Sequence, residues 1–435
     1  MENPKTILVT GATGYIASRL IPLLLNEGYQ VRCLARRPER LQGRAWYARV
    51  QVATGDVTRP ESLPEAMQGV SAAYYLIHSM ASGHGYDRVD LESARNFSRA
   101  ARQAGVEHII YLGGLADPRD PALSRHMRSR IESGAALREA GVPVTEFRAG
   151  VIVGPGSVSF EMIRFIAEQF PLMVGPTWLR HRSQPIATPN VLAYLLAALT
   201  TPAARGQIVE LGSQEVIPYI DVMSRYARIR GLRRAPLLLP GVPVGFMALF
   251  IDLLTPVESS YAVPLVEGLQ NDSLVQDRGP LELFPEIKLL DYTSAVQRAL
   301  ADTHPAGMER VWLDLDRDVV EIKHEGMFID YRRARRSASA RDVLESLRRR
   351  AAGGLRVGLL RSFEIDFSDD ETLRLRVASR LPGQAWLEWR VRPAQGGCLL
   401  EQTVFFAPQG LPGFLGWYLS NPLQRGVFAR LLGSI

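Results

Sequence analysis

ILVTGATGYIASRL, residues 7–20, is an apolar run interrupted by three small residues, Gly11, Gly14 and Ala17, and continued by a helical pattern. A strand that turns into a helix through glycines lets backbone approach a phosphate closely, and the first amides of the helix supply donors and a positive dipole end. The stretch therefore predicts a dinucleotide phosphate site built from Gly11, Thr13, Gly14, Tyr15 and Ile16. GxxGxxA on its own also fits an ordinary tight turn. Its place after the strand KTILVT and at the head of a helix over 14–27 selects the nucleotide reading.

The same alternation continues for 150 residues. QVRCLA, RVQVATGD, AAYYLIHS, HIIYLGG and PVTEFRAGVIVG read as strands, with helical stretches at 60–68, 86–104 and 124–140 between them. Helices end at Gly28, Gly105 and Gly141, each followed at once by a strand. Strands and helices in strict turn imply βαβ units, so the predicted fold class is α/β, a Rossmann-type doubly wound parallel sheet. From about 157 to 300 helices dominate, with GQIVELG as a further strand and PYIDVMSRYARIRG as an amphipathic helix. This region is expected to wall a substrate cleft. Beyond 305 the pattern changes to GMFIDYRRARRSAS, RSFEIDFS, TLRLRVASR, AWLEWRVRP and CLLEQTVFFAP, read as strands, with an early helix at 340–350 and a final one at 413–432. The predicted organisation is a nucleotide-binding domain over 1–305 and a smaller α+β domain over 306–435.

Composition excludes several classes. The 435 residues carry a net charge of +6 from 51 basic and 45 acidic side chains spread along the chain, which is not the basic stripe of a nucleic-acid binder. Cys33 and Cys398 have no metal-type or disulfide-framework spacing, and the seven histidines form no HExxH pair, so no metal is expected. With no charged-then-apolar leader pattern, a reducing cytoplasm is the expected location. The apolar segment 236–257 contains Asp252, four prolines and two internal glycines, which argues against a membrane span. The terminal GFLGWYLSNPLQRGVFARLL leaves a peripheral membrane contact open, against the alternative that it packs on its own sheet.

Where a carboxylate would meet the adenosine ribose at the end of the second strand, the chain has Arg36 and Arg37, and guanidinium groups suit a 2′-phosphate. The cofactor expected is NADP, with NAD as the other possibility. Asp56 and Val57, after the third strand, are placed for the adenine amino group and ring; Asp56 equally suits a turn. Ser79, Met80 and Gly113 fall where the nicotinamide half would run, with Arg148, Gly150 and Val151 bordering it.

TGATGYIA, GDVT, YYLIHSM and YLGGL, in this order and spacing, resemble the NmrA-like, NAD(P)H-binding group of atypical short-chain dehydrogenase/reductases. LSRHMRSRIESGAALREAGVPVTEFRAGVIVGPGSVSFEMIR is similar to two-domain members with a carboxy-terminal DUF2867 domain. GQAWLEWRV and FFAPQGLPGFLGWYLSNPLQRGVF resemble the START-like (SRPBCC) fold, although the stretch between the helix at 340–350 and RSFEIDF is shorter than usual there. The resemblance implies an oxidoreductase that moves hydride between NADP(H) and an apolar carbonyl or quinone-like substrate, with a small apolar or lipid-like ligand as partner. The superfamily's usual Tyr-x-x-x-Lys dyad cannot form, because no lysine lies between positions 6 and 287, and the usual serine position reads Gly113-Gly114. At the corresponding place stand His126 and Arg130, four apart and so on one helix face, with Ser124 two residues earlier. Imidazole has a reference pKa near 6.5 and can move a proton at neutral pH, whereas arginine stays charged and can only position or polarise. The bland alternative is a histidine on a solvated helix face. The missing dyad also leaves open a non-catalytic NADP(H)-sensing or assembly protein and, third, a nucleotide-sugar epimerase or dehydratase.

Overall fold

A computed structural model describes residues 5–78, 85–245, 247, 259–315, 317–357 and 362–435. The chain divides into two compact units. One comprises Met1–Ile166, Leu172–Ile229 and Arg234–Ala301; the other comprises Ala167–Pro171, Arg230–Arg233 and Asp302–Ile435.

The first unit is built on β1 (Thr6–Thr10), α1 (Tyr15–Asn26), β2 (Gln30–Ala35), β3 (Gln51–Thr54), β4 (Val70–Tyr75), α2 (Tyr86–Gln103), β5 (His108–Gly114), α3 (Arg125–Arg138), β6 (Val144–Ala149) and β7 (Ile208–Leu211). The strands lie in the order β7-β6-β5-β4-β1-β2-β3 and every neighbouring pair is parallel. Strands buried on both faces send successive side chains to opposite cores. Ile7, Val9, Tyr74, Ile110 and Phe147 pack under α1 and the helix Thr188–Ala197. Leu8, Tyr75, Ile109, Tyr111 and Val144 pack under α2 and α3. This is the doubly wound Rossmann-type sheet expected from the sequence. The chain leaves β1 towards β2 and β3, then crosses back to β4 on the other side of β1. That reversal opens a crevice at the carboxyl ends of β1 and β4.

The second unit holds a six-stranded antiparallel sheet, β8 (Val319–His324), β9 (Met327–Arg336), β10 (Phe363–Ser368), β11 (Thr372–Val377), β12 (Gly383–Ala394) and β13 (Gly397–Pro408), in the order β8-β9-β13-β12-β11-β10. Two helices complete it, Ala340–Ala352, capped by the Ser339 hydroxyl, and Gly410–Gly433. Val343, Leu344 and Leu347 of the first, with Phe428 and Leu432 of the second, pack on Leu373, Leu387, Trp389 and Leu400. Gln402 ties this arrangement together: it accepts from the Trp389 indole at 3.1 Å and donates to the Phe428 carbonyl at 3.0 Å. Trp417 stacks on Phe328 and Phe406, so the terminal helix does pack on its own sheet, while Leu415, Leu419 and Leu423 of the same helix are exposed. Among the described residues no helix is long and apolar enough to cross a membrane. Part of the apolar segment 236–257 lies outside them.

Candidate functional site

The turn between β1 and α1 is shaped by close approach. Gly11 has φ +66°, and a Cβ there would stand 2.6 Å from the Leu76 carbonyl oxygen at the end of β4. Only glycine fits both conditions. The Gly14 amide donates to the Gly11 carbonyl at 2.7 Å and closes the turn. The Thr10 hydroxyl donates to the Tyr74 carbonyl and accepts from the Leu76 amide, both at 3.0 Å, which locks the ends of β1 and β4 together. Gly14 is the N-cap of α1 and no side chain caps that helix start; Thr13 and Gly14 are exposed, whereas Ala17 is buried against the sheet. Tyr15 and Ile16 begin the helix. The Tyr15 hydroxyl pairs with Thr188 at 2.8 Å, Arg19 covers its ring at 4.1 Å, and Ile16 packs on the core, so their side chains brace the turn. A cradle that a Cβ would fill, beside an uncapped helix start, fits a dinucleotide pyrophosphate.

Arg36 and Arg37 follow directly on β2, exposed, and their guanidinium groups have no partner among the described residues. Asp56 and Val57 follow β3. The Asp56 carboxylate accepts from the Thr58 amide at 3.0 Å and hydroxyl at 2.9 Å, making it a turn residue. Val57 is buried in the core beneath α2, because an apolar side chain beside the sheet gains more from burial than from a solvent-facing wall. Gly113 is buried within β5, where a Cβ would press at 3.1 Å on the Tyr111 ring. Ser79 and Met80 lie outside the described residues.

On α3 the three expected residues have separate tasks. Ser124 is the N-cap, its hydroxyl accepting from the Met127 amide at 3.3 Å. Arg130 is buried. Its guanidinium donates to the Leu112 and Ile77 carbonyls and lies 5.0 Å from the Tyr111 ring, so it braces the ends of β4 and β5 rather than standing free for a cofactor. His126 is buried too, not on a solvated face. Its Nδ1 lies 3.1 Å from Nε2 of His78, whose Nδ1 lies 2.9 Å from Asp90 Oδ2. If Asp90 accepts from His78 Nδ1, then His78 Nε2 accepts from His126 Nδ1, and His126 Nε2 keeps a lone pair. Burial, then His78 and Arg130, push the His126 pKa down to about 3. Desolvation and Arg130 lower that of His78 as well. His126 is therefore neutral at pH 7 instead of poised to titrate there. His78 and Asp90, which complete the chain, were not singled out in the sequence. They lie 48 and 36 residues from His126, and no local spacing signals the contact.

The residue that does open onto a cavity is Met127. Together with Gly150, Val151, Met162, Trp178 and Met223 it lines an apolar pocket in the first unit. Met127 also reaches the end of β5, where a Cβ on Gly114 would meet its sulfur at 2.6 Å. Arg148 is turned into the fold instead, its Nε donating to Glu146 at 2.6 Å, and Glu146 also receives Arg138. The pocket and the glycine turn share the carboxyl edge of the parallel sheet, the edge at which ligands of open α/β sheets bind.

Residues 11–142 match the model of a family described as NAD(P)H-binding. The first unit carries an NAD(P)H-binding domain. In sequence, this chain is 27% identical over 281 residues to the (4-alkanoyl-5-oxo-2,5-dihydrofuran-3-yl)methyl phosphate reductase of Streptomyces griseus subsp. griseus, a match covering 63% of this chain and 88% of the relative. It is 28% identical over 240 residues to the ceramide reductase of Caulobacter vibrioides, covering 54% and 73%. The NAD(P)H-binding domain shares its fold with the triphenylmethane reductase of Citrobacter sp. in its complex with NADP(H), at a TM-score of 0.53 and 20% identity over 68% of this chain and 99% of that one.

Proposed function

We propose that the protein is an NADP(H)-dependent oxidoreductase that reduces an apolar carbonyl or quinone-like molecule. The observation that carries this reading is the common sheet edge: a pyrophosphate cradle at β1 and β4 and an apolar pocket beginning at Gly150 and Val151 after β6. Gly11, Thr13 and Gly14 would hold the pyrophosphate, and Arg36 and Arg37 the 2′-phosphate that distinguishes NADP from NAD. When bound, the cofactor supplies hydride. The chain's own part is to exclude water and orient the substrate: methionine thioethers and the Trp178 ring give an adaptable, dry wall. The names of the two reductases given above support the reaction class.

The second unit is read as a START-like domain for a lipid-like ligand. The support is its antiparallel sheet with the helix 340–352 and the terminal helix packed on one face.

Steady-state NADPH consumption at 340 nm, over a panel of apolar ketones, aldehydes and quinones, tests the reading. Turnover with at least one class is expected. Tight nucleotide binding with no oxidation across the panel would contradict it and favour the cofactor-sensing alternative. That alternative draws on the absence of a Tyr-x-x-x-Lys pair and on the burial of His126 outside the apolar pocket.

A further inference from the structure

Four large apolar side chains that the first unit leaves exposed stand together. Strand Leu172–Pro176 pairs in parallel with strand Ala235–Leu239, Leu172 opposite Ala235, Val174 opposite Leu237 and Pro176 opposite Leu239. Alternate residues of a strand share a face, and directly paired residues share it too. On this face Leu172 is 49% exposed, Val174 44%, Leu237 42% and Leu239 39%. Single exposed leucines need no explanation, whereas a contiguous apolar face marks a surface that something covers. The opposite face turns inward: Met173 is buried and lines the apolar pocket. Val174 belongs to both surfaces, lining the pocket while it stays exposed. Beyond Leu239 the chain runs on through Val242 and Val244, which pack against Met162, Met247 and Val266 of the pocket wall. The exposed face is therefore continuous with the pocket.

The charges around the ribbon select its occupant. No acidic residue occurs between Glu168 and Glu210 or between Asp221 and Asp252, the two stretches that hold the strands. Arg233 and Arg234 immediately precede the second strand. Arg180, four residues beyond the first, is exposed and has no partner among the described residues. Apolar side chains flanked by guanidiniums match an anionic lipid surface, where leucines enter the acyl layer and cations meet phosphates. A second copy seated face to face would set the same cations against each other. We propose that this ribbon docks the protein on an anionic lipid bilayer and forms the entry by which a lipid-soluble molecule passes from the membrane into the apolar pocket. A molecule that dissolves poorly in water then reaches the pocket along Val174 without leaving apolar surroundings.

Docking itself goes beyond the oxidoreductase reading; only the identity of the entering molecule as the reducible substrate rests on that reading. Flotation of the full-length protein with vesicles tests the docking, using phosphatidylcholine alone and an equal mixture of phosphatidylcholine and phosphatidylglycerol. Wild type should bind the anionic vesicles and the neutral ones more weakly, with raised salt narrowing the difference. Leu172→Gln with Leu237→Gln, both exposed and outside the pocket wall, should lower vesicle partition about 10- to 100-fold, the range for two half-exposed leucines kept in water, and leave nucleotide binding unchanged. Arg180→Gln should weaken binding to the anionic vesicles alone, and serves if the double variant does not fold. Leu419→Gln with Leu423→Gln, on the terminal helix, should bind as wild type does. A wild type that binds neither vesicle, a ribbon variant that binds as well as wild type, or a loss confined to the terminal-helix variant would overturn the proposal. So would a dimer in sedimentation velocity that the ribbon variant dissociates and that binds no vesicles, since the face would then belong to a second copy. Vesicle binding by a protein that turns over no NADPH would count against the oxidoreductase reading alone.

Discussion

At the scale of single residues, two positions carry most of the account. Gly11 combines a left-handed backbone with a carbonyl 2.6 Å from where a Cβ would sit, so Gly11→Ala meets both strain and a clash. A loss of about 1–3 kcal/mol in unfolding free energy is expected, with nucleotide binding falling further than stability, read by urea melts and calorimetry. An alanine variant of wild-type stability that binds nucleotide normally would show that the turn is not the cradle. His126 gives a pH prediction. Its folded pKa of about 3 lies below the ordinary value near 6.5, so between those limits the unfolded chain takes up a proton that the folded one refuses. Stability is full above pH 6.5 and falls as pH drops through that window. His78 and His108 have lowered pKa values and act in the same sense, with His108 pushed down to about 4 by burial and Arg205. Urea melts at pH 7.5 and 5.0 should therefore show a smaller acid loss for His126→Gln than for wild type, the difference isolating His126. Equal losses would mean that His126 titrates normally in the fold.

At the scale of elements, burial pattern and turn chemistry explain what was readable. The central strands of the first sheet show in the sequence because β-branched and aromatic residues fill both faces, and the ends of α1, α2 and α3 show because a glycine follows within three residues. The phosphate turn was readable for the same local reason. What could not be read are juxtapositions made by tertiary packing. His78 meets His126 only once β4 and α3 are side by side. In the second unit Gln402 offers the element-scale test. It joins β12 through Trp389 to the terminal helix through the Phe428 carbonyl. Gln402→Leu leaves both partners buried and unsatisfied, which costs about 1–3 kcal/mol each. Scanning calorimetry should show a lowered melting transition, and an unchanged one would remove Gln402 from the packing of that helix.

At the scale of the whole molecule, the chain joins an NAD(P)H-binding domain to an antiparallel-sheet unit with its own core. At the carboxyl edge of the first sheet the strand order reverses and the glycine turn meets the end of β4. Beside that turn stand two exposed arginines with no partner among the described residues, and across the same edge lies an apolar pocket. The ligand proposed for this edge is a dinucleotide with an extra phosphate on its adenosine ribose. The most direct test is a calorimetric titration of wild type and of the Arg36→Asp, Arg37→Ala double variant with NADPH and with NADH. The account predicts that wild type binds both and prefers NADPH, and that the double variant loses about 10- to 100-fold in NADPH affinity, the range of a charge-assisted hydrogen bond, while NADH affinity hardly changes. No heat with either nucleotide, or equal losses for both in the double variant, would contradict it.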